Sequence, residues 1–283
     1  PMHKVSPKPF WLNKKINLNG CWDMKNMLRG LRLNTVCEQS LCPNISECFE
    51  SKVVTFMILG NACTRACRFC AVTKEIPEMI DLKEPIRIKE AVRQLELNYV
   101  VITSPTRDDL ADGGAAIFCQ IIQEILSLSY DIEVEALIPD FKGNVASVKL
   151  LATSGAGVIA HNLETVPSLY RKVRAGADYK RSLYVLKTAK EQNRKIFTKS
   201  GIMLGLGESD KEVLRVMRDL RSIDCDFLTL GQYLPPSLKH YPLKEYAHPE
   251  RFSYLRSQAL KLGFKDVKSS PYTRSSYKAH SFI

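Results

Sequence analysis

The chain has 283 residues, 45% of them hydrophobic and 25% charged, with a formal net charge of +11. These values fit one large or two small globular domains, and no apolar run approaches the ~20 residues that span a bilayer. A basic surface calls for an anionic partner, yet no Lys/Arg tract is interleaved with aromatics as in nucleic-acid binders, so neither nucleic acid nor a membrane is expected. The first residues, Pro-Met-His-Lys-Val-Ser-Pro-Lys-Pro-Phe-Trp, lack an apolar core followed by small residues and do not read as a secretory signal. The expected location is the cytoplasm of a bacterial-type cell, or an organelle if a leader has been removed. The expected state is a monomer.

In chain order, the first 50 residues read as irregular, punctuated by Pro, Asn and Gly. Four cysteines fall in this stretch, a scattered Cys21 and the closely spaced Cys37, Cys42 and Cys48. Val53–Leu59 is a near-continuous apolar run, which suits a strand buried on both faces in a parallel sheet. A second cysteine run follows at once, Cys63-Thr-Arg-Ala-Cys67-Arg-Phe-Cys70.

A strand and helix rhythm then repeats. Ile88–Leu97 is helical, Tyr99–Thr103 a strand, Ala115–Leu128 a helix, Ile132–Ile138 a strand, Val145–Thr153 a helix and Val158–His161 a strand. Arg181–Gln192 is a helix and Ile196–Leu204 a strand. Ser209-x-x-Glu212 reads as a capping box opening a helix to Leu220, and Phe227–Leu230 is the sixth strand. Glu250–Leu262 is a further helix, with Gly263 at its C-terminal cap, and the last 20 residues read as an irregular tail.

The expected fold class is therefore α/β. Six strands with helical crossovers predict a partial (β/α)6 TIM-type barrel, open at the side, with N- and C-terminal extensions. The expected parts are residues 1–52, an extension carrying the first cysteines; 53–236, the partial barrel; and 237–283, a C-terminal extension.

Six of the nine cysteines lie between positions 37 and 70. Disulfide scaffolds are usually small and spread their cysteines over the fold, so this clustering favours metal. Cys119 and Cys225, in apolar surroundings, read as small buried hydrophobes. Cys63, Cys67 and Cys70 fall on the loop after the first barrel strand, where barrel enzymes place their chemistry. Three thiolates can hold three irons of a four-iron cube and leave the fourth open. Zinc is the main rival, but structural zinc closes four positions with paired ligands, and His161 and His248 are isolated. Cys37, Cys42 and Cys48 admit a zinc or cluster staple as well as a functional cluster.

With Phe69 before its last cysteine, the Cys63–Cys70 run resembles the radical S-adenosylmethionine (SAM) superfamily. Lys199-Ser-Gly-Ile-Met-Leu-Gly-Leu-Gly-Glu208 is similar to that family's glycine-bearing strand. The resemblance implies an open iron that chelates SAM, one-electron cleavage of the sulfonium, and hydrogen abstraction by a 5′-deoxyadenosyl radical. Adding Cys37-x4-Cys42-x5-Cys48, Arg107-Asp-Asp-Leu-Ala-Asp-Gly-Gly114, His161-Asn-Leu-Glu-Thr165, Gly231-Gln-Tyr-Leu234 and Arg274-Ser-Ser-Tyr277, the chain resembles the lipoyl synthase family over nearly its whole length. Two local departures stand out: Ser104-Pro-Thr-Arg107 replaces a more usual Ser-Val-Asp-Arg, and Asn61 occupies a position that is often acidic.

That resemblance implies sulfur insertion at C6 and C8 of a protein-bound octanoyl-lysine. It implies two [4Fe-4S] clusters and SAM as cofactors, with the auxiliary cluster at Cys37, Cys42 and Cys48 as sulfur donor and Ser276 as its fourth ligand. Arg174 is the expected partner of the SAM carboxylate, and Asn162 and Glu164 of its ribose or amino group. Asp108, Asp109 and Asp112 instead read as braces for the loop before the helix at Gly114. Expected partners are octanoylated lipoyl carrier domains (2-oxoacid dehydrogenase E2 subunits, the glycine cleavage H protein), an electron donor such as ferredoxin or flavodoxin, and an iron–sulfur carrier that rebuilds the spent cluster. The competing readings are another two-cluster radical enzyme, such as a methylthiotransferase, and a non-catalytic iron–sulfur electron carrier. The latter needs four protein ligands per cluster, where Cys63–Cys70 offers three.

Overall fold

The computed structural model describes residues 7–14 and 19–283; residues 1–6 of the terminal run read for a leader lie outside them. One eight-stranded sheet organises the molecule, in the order of the chain from β1 to β8. The strands are β1 (Asn34–Thr35), β2 (Thr55–Met57), β3 (Tyr99–Thr103), β4 (Glu133–Leu137), β5 (Val158–Ala160), β6 (Phe197–Leu204), β7 (Phe227–Gln232) and β8 (Asp266–Ser269). From β2 to β8 every neighbouring pair is parallel; β1 pairs antiparallel to β2. β1 and β8 are the edges, so the barrel stays open.

The six strands expected from apolar periodicity all form, and the sheet exceeds them at both ends. β8 lies in the stretch expected to be an irregular tail. Its sequence, Asp-Val-Lys-Ser, offers one buried apolar residue, Val267, so it carries no hydrophobic signal. It is held by its register on β7, Leu228 opposite Val267. At the other end the stretch expected to be irregular contains the helices α1 (Asn19–Gly30), α2 (Val36–Gln39) and α3 (Ile45–Glu50).

The crossover helices are α4 (Glu84–Leu95), α5 (Ala115–Leu126), α6 (Val145–Ala152), α7 (Tyr170–Val173), α8 (Tyr179–Gln192), α9 (Asp210–Arg221) and α10 (Pro249–Lys261). α9 opens with the expected capping box, Ser209 and Glu212. Gly263 follows α10 at φ +95°, the left-handed conformation that ends a helix. α7 is too short for a periodic signal.

Strand alternation sorts the side chains. Val100, Ile102, Val134 and Ala136 pack outward against the helices, as do Ile202, Leu204, Leu228 and Leu230 farther along. The alternate residues face the lumen. At its lower end the Lys199 ammonium is ion-paired to Glu135, and the Tyr99 hydroxyl donates to the same carboxylate at 2.8 Å. Phe282, in the C-terminal turn Ala279–Phe282, stacks on Phe227 with ring centroids 4.9 Å apart. The floor is thus closed by an ion pair and an aromatic contact. The upper lumen is left for a cavity.

Candidate active site built on two cysteine runs

A cavity of about 500 Å³ opens at the C-terminal ends of the strands, lined among others by Met57, Thr103, Leu137 and Met203. Cys63, Cys67 and Cys70 face it, as do Cys37, Cys42 and Ser276. Cys48 is half-buried on α3 and is not among the lining residues. Segments separate in sequence therefore converge on one space.

The Cys63–Cys70 loop is fixed at many points. The Cys63 amide donates to the Thr73 carbonyl at 2.8 Å, the Arg68 amide to Val173 at 2.8 Å, and the Tyr241 amide to Arg68 at 2.7 Å. Between the first two cysteines, Arg65 turns inward. Its guanidinium reaches Asp108 at 2.7 and 2.9 Å and Asp140 at 2.6 and 2.9 Å. Asp140 also accepts from Arg181 at 2.8 Å, and these bonds hold its carboxyl well below the usual range despite burial. The forked ion pairs clamp the loop to two other strand ends. Arg65, Asp140 and Arg181 were not singled out in the sequence; the only signal is an arginine between two metal-spaced cysteines.

Two of the three acidic braces, Asp109 and Asp112, appear as read. Asp112 accepts from the amides of Gly114 at 2.9 Å and Ala116 at 2.8 Å at the start of α5, and Asp109 pairs with Arg107 at 2.8 Å. Asp108 braces the cysteine loop instead of the helix, through Arg65.

Cys37 and Cys48 sit on the short helices α2 and α3, with Cys42 in the turn between them. The turn is tight: the Cys42 amide donates to the Cys37 carbonyl at 3.0 Å and the Cys48 amide to Asn44 at 2.9 Å. Burial first, and then nearby Cys42, push the Cys37 thiol up to about 12 and Cys48 to about 11. Burial likewise pushes Cys70 up to about 12. Metal binding displaces such protons, because the thiolate is the ligand.

Asn162, Glu164 and Arg174 also line the cavity. The Asn162 amide donates to Glu164 at 3.0 Å and to the Ser275 hydroxyl. Arg174 donates to the Tyr170 hydroxyl at 3.0 Å and to Ser182 at 3.1 Å. Burial raises the Glu164 carboxyl, and Arg174 partly offsets this. His161 is buried, its Nδ1 2.8 Å from the Ile138 carbonyl and its Nε2 3.1 Å from Ser182. Burial, and then Arg174, push it down to about 3, so it is neutral and occupied by the fold. Glycine matters at two positions. A Cβ on Gly201 would lie 2.8 Å from Asn162 Oδ1, and one on Gly231 would lie 2.1 Å from the Thr273 carbonyl, where the C-terminal segment crosses β7.

The residues present fit two iron–sulfur clusters and a small polar cosubstrate. Both donor runs supply cysteine thiolates, the usual protein ligands of such clusters. Asn162 Oδ1 is buried with no partner of its own, beside the space that Gly201 keeps free. A buried acceptor left so is costly unless a ligand supplies the donor. Among the described residues no three His, Cys, Asp or Glu side chains gather about a point that one ion would occupy. No helix among them is long and apolar enough to cross a membrane.

Comparison with known proteins agrees. Residues 57–220 match the family model for the radical SAM superfamily. The chain is 49% identical over 279 residues to a lipoyl synthase of Geotalea daltonii, covering 99% of this chain and 95% of that protein. It is 53% identical to the lipoyl synthase of Geobacter metallireducens, covering 96% of each, and 53% to that of Aquifex aeolicus, covering 93% and 96%. Among solved structures, HydG, a maturase of the [FeFe]-hydrogenase, aligns with a TM-score of 0.59 at 14% identity, covering 89% of this chain and 63% of that one. Methylornithine synthase aligns at 0.57 and 17%, covering 76% and 70%. These two likenesses concern the fold alone. The sequence relatives, matched nearly end to end, place the chain in the lipoyl synthase family of the radical SAM superfamily.

Proposed function

We propose that Cys63, Cys67 and Cys70 hold the cluster at which SAM is cleaved, and that Cys37, Cys42 and Cys48, with Ser276, hold the auxiliary cluster. As a lipoyl synthase the chain inserts two sulfur atoms, at C6 and C8 of an octanoyl chain borne on a lysine of a lipoyl carrier domain, and it needs an external reductant. Its cofactors, two [4Fe-4S] clusters and SAM, supply radical hydrogen abstraction and the sulfur. The observation that carries the site assignment is the convergence of Cys63, Cys67 and Cys70 with Cys37, Cys42 and Ser276 on one cavity.

In this reading Arg65 keeps the Cys63–Cys70 loop rigid through its two carboxylate partners. Arg174, with Asn162 and Glu164, forms a charged shelf for the amino-acid and ribose groups of SAM. The apolar wall at Met57, Leu137 and Met203 excludes water and takes the acyl chain. Ser276 offers a hard oxygen to iron where the other ligands are soft sulfur, so its bond is the easiest to give up. The chain works in three parts: residues 1–52 and 237–283 house the sulfur donor, and 53–236 the radical chemistry. Specific partners proposed are 2-oxoacid dehydrogenase E2 subunits and the glycine cleavage H protein as carriers, ferredoxin or flavodoxin as reductant, and an iron–sulfur carrier for rebuilding. The net charge of +11 favours acidic partners and salt-sensitive association.

The test is anaerobic turnover of an octanoyl-lysine peptide with SAM and dithionite. Ser276→Cys is expected to form 5′-deoxyadenosine while its dithiolated peptide falls sharply. Full dithiolation by that variant would overturn the role given to the serine oxygen.

A further inference from the structure

The auxiliary-site ligands come from opposite ends of the chain, and nothing covalent joins them. The geometry points to a clasp of Lys14, Asn44, Glu47, Tyr272 and Tyr277 that positions Ser276 against the Cys37–Cys48 run. This rests on the reading of Ser276 as a ligand.

The clasp residues interleave with the ligands. Asn44 and Glu47 lie between Cys42 and Cys48; Tyr272 and Tyr277 flank Arg274-Ser275-Ser276. The Tyr277 hydroxyl donates to Glu47 Oε1 at 2.6 Å, across 230 residues of sequence. The Asn44 side chain donates to the Tyr272 carbonyl at 2.7 Å. Lys14 is the hub: its ammonium donates to Asn44 Oδ1 at 2.7 Å and pairs with Glu47 Oε2 at 2.7 Å. The same ammonium lies 5.1 Å from the Tyr272 ring centroid and 5.8 Å from that of Tyr277, within cation–π range. The Tyr272 hydroxyl donates to the Leu12 carbonyl, tying in the segment that carries Lys14.

Asn44 is 1% exposed. Three segments therefore meet at one ammonium, each by bonds that need the other two. None of these bonds uses a thiol or the Ser276 hydroxyl, so the clasp is chemically independent of the ligands it aligns. Such a part holds the serine segment in place when its ligand bond is given up, and keeps the site ready for a new cluster.

The test compares Glu47→Gln/Tyr277→Phe with the wild-type reconstituted, full-length enzyme; Tyr277→Phe alone retains the ring and gives a milder case. Opening the clasp is expected to speed tryptic release of the peptide beginning at Ser275, and chelator removal of auxiliary-cluster iron, each by ~10-fold or more. 5′-Deoxyadenosine formation in the absence of sulfur transfer is expected to stay within ~2-fold, since a local opening leaves the barrel loop intact. Wild-type rates of peptide release and iron loss in the double variant would overturn the clasp. So would a parallel fall in 5′-deoxyadenosine, which marks general destabilisation. Ser276→Ala separates the two ideas: if it dithiolates normally, the ligand reading fails, while peptide release in the double variant still decides the clasp.

Discussion

The two cysteine runs are built by opposite means. Cys63–Cys70 lies within a single strand-to-helix connection, and its clamp is doubly forked, with Arg65 and Asp140 buried and Asp108 partly exposed. Cys37–Cys48 lies on two short helices and gains its proposed fourth ligand from the far end of the chain, through partly exposed polar contacts around Lys14. A site used in every cycle gains from a rigid loop on strand ends. A site that gives up a ligand and is rebuilt gains from contacts that are many, individually weak and independent of the metal.

The widest separation is expected from the cysteines themselves. Cys67→Ala should abolish 5′-deoxyadenosine and all thiolation. Cys42→Ala should keep 5′-deoxyadenosine and lose only thiolation. Each should fall from about eight irons per chain to about four. Loss of 5′-deoxyadenosine in both would erase the distinction between the runs.

Next comes Arg65→Ala. It strands Asp140 with Arg181 as its remaining guanidinium partner and leaves Asp108 without the clamp. Breaking a buried pair from one side costs about 3–5 kcal/mol, to be read from the denaturation midpoint of the metal-free chain. Arg65→Lys should rescue little, because an ammonium cannot fork to two carboxylates. A cost below about 1 kcal/mol would show that the loop is held by its backbone bonds alone.

The smallest effect is a proton. His161, neutral in the fold and pushed down to about 3, regains its ordinary pKa near 6.5 on unfolding. The unfolded chain then binds the extra proton between those values, so this stability is present above pH 6.5 and is lost as pH falls toward 3. From pH 7 to 4.5 the loss is about 2–3 kcal/mol. His161→Gln should flatten that part of the slope, and an unchanged slope would place the titration elsewhere. Asp140, held low by Arg65 and Arg181, loses its contribution only in stronger acid.

Legibility followed the range of the interactions. The six apolar strands, the Ser209 capping box and the Gly263 stop are local patterns, and the structure bears them out. β8 was hidden because its alternate residues Asp266 and Lys268 are charged, paired with each other at 3.0 Å, and its order comes from β7. α1 lies in a stretch whose Asn, Gly and Pro punctuation suggested loops. Metal-spaced cysteines could be read as donors because ligand spacing is local. Arg65 could not be read as a clamp, since Asp108 and Asp140 lie 43 and 75 residues away.

The sequence by itself determined the parallel α/β architecture, the two thiolate runs and, through near end-to-end similarity, the family. Periodicity, ligand spacing and shared motifs are all written in neighbouring residues. The tertiary structure alone decided that Cys63, Cys67, Cys70, Cys37, Cys42 and Ser276 face one cavity, that Gly231 lets the C-terminal segment cross β7, and that Lys14 joins the two ends of the chain. The hydrogen bonds among them span up to 260 residues. No local preference encodes them; they arise only when the sheet brings its ends and loops together.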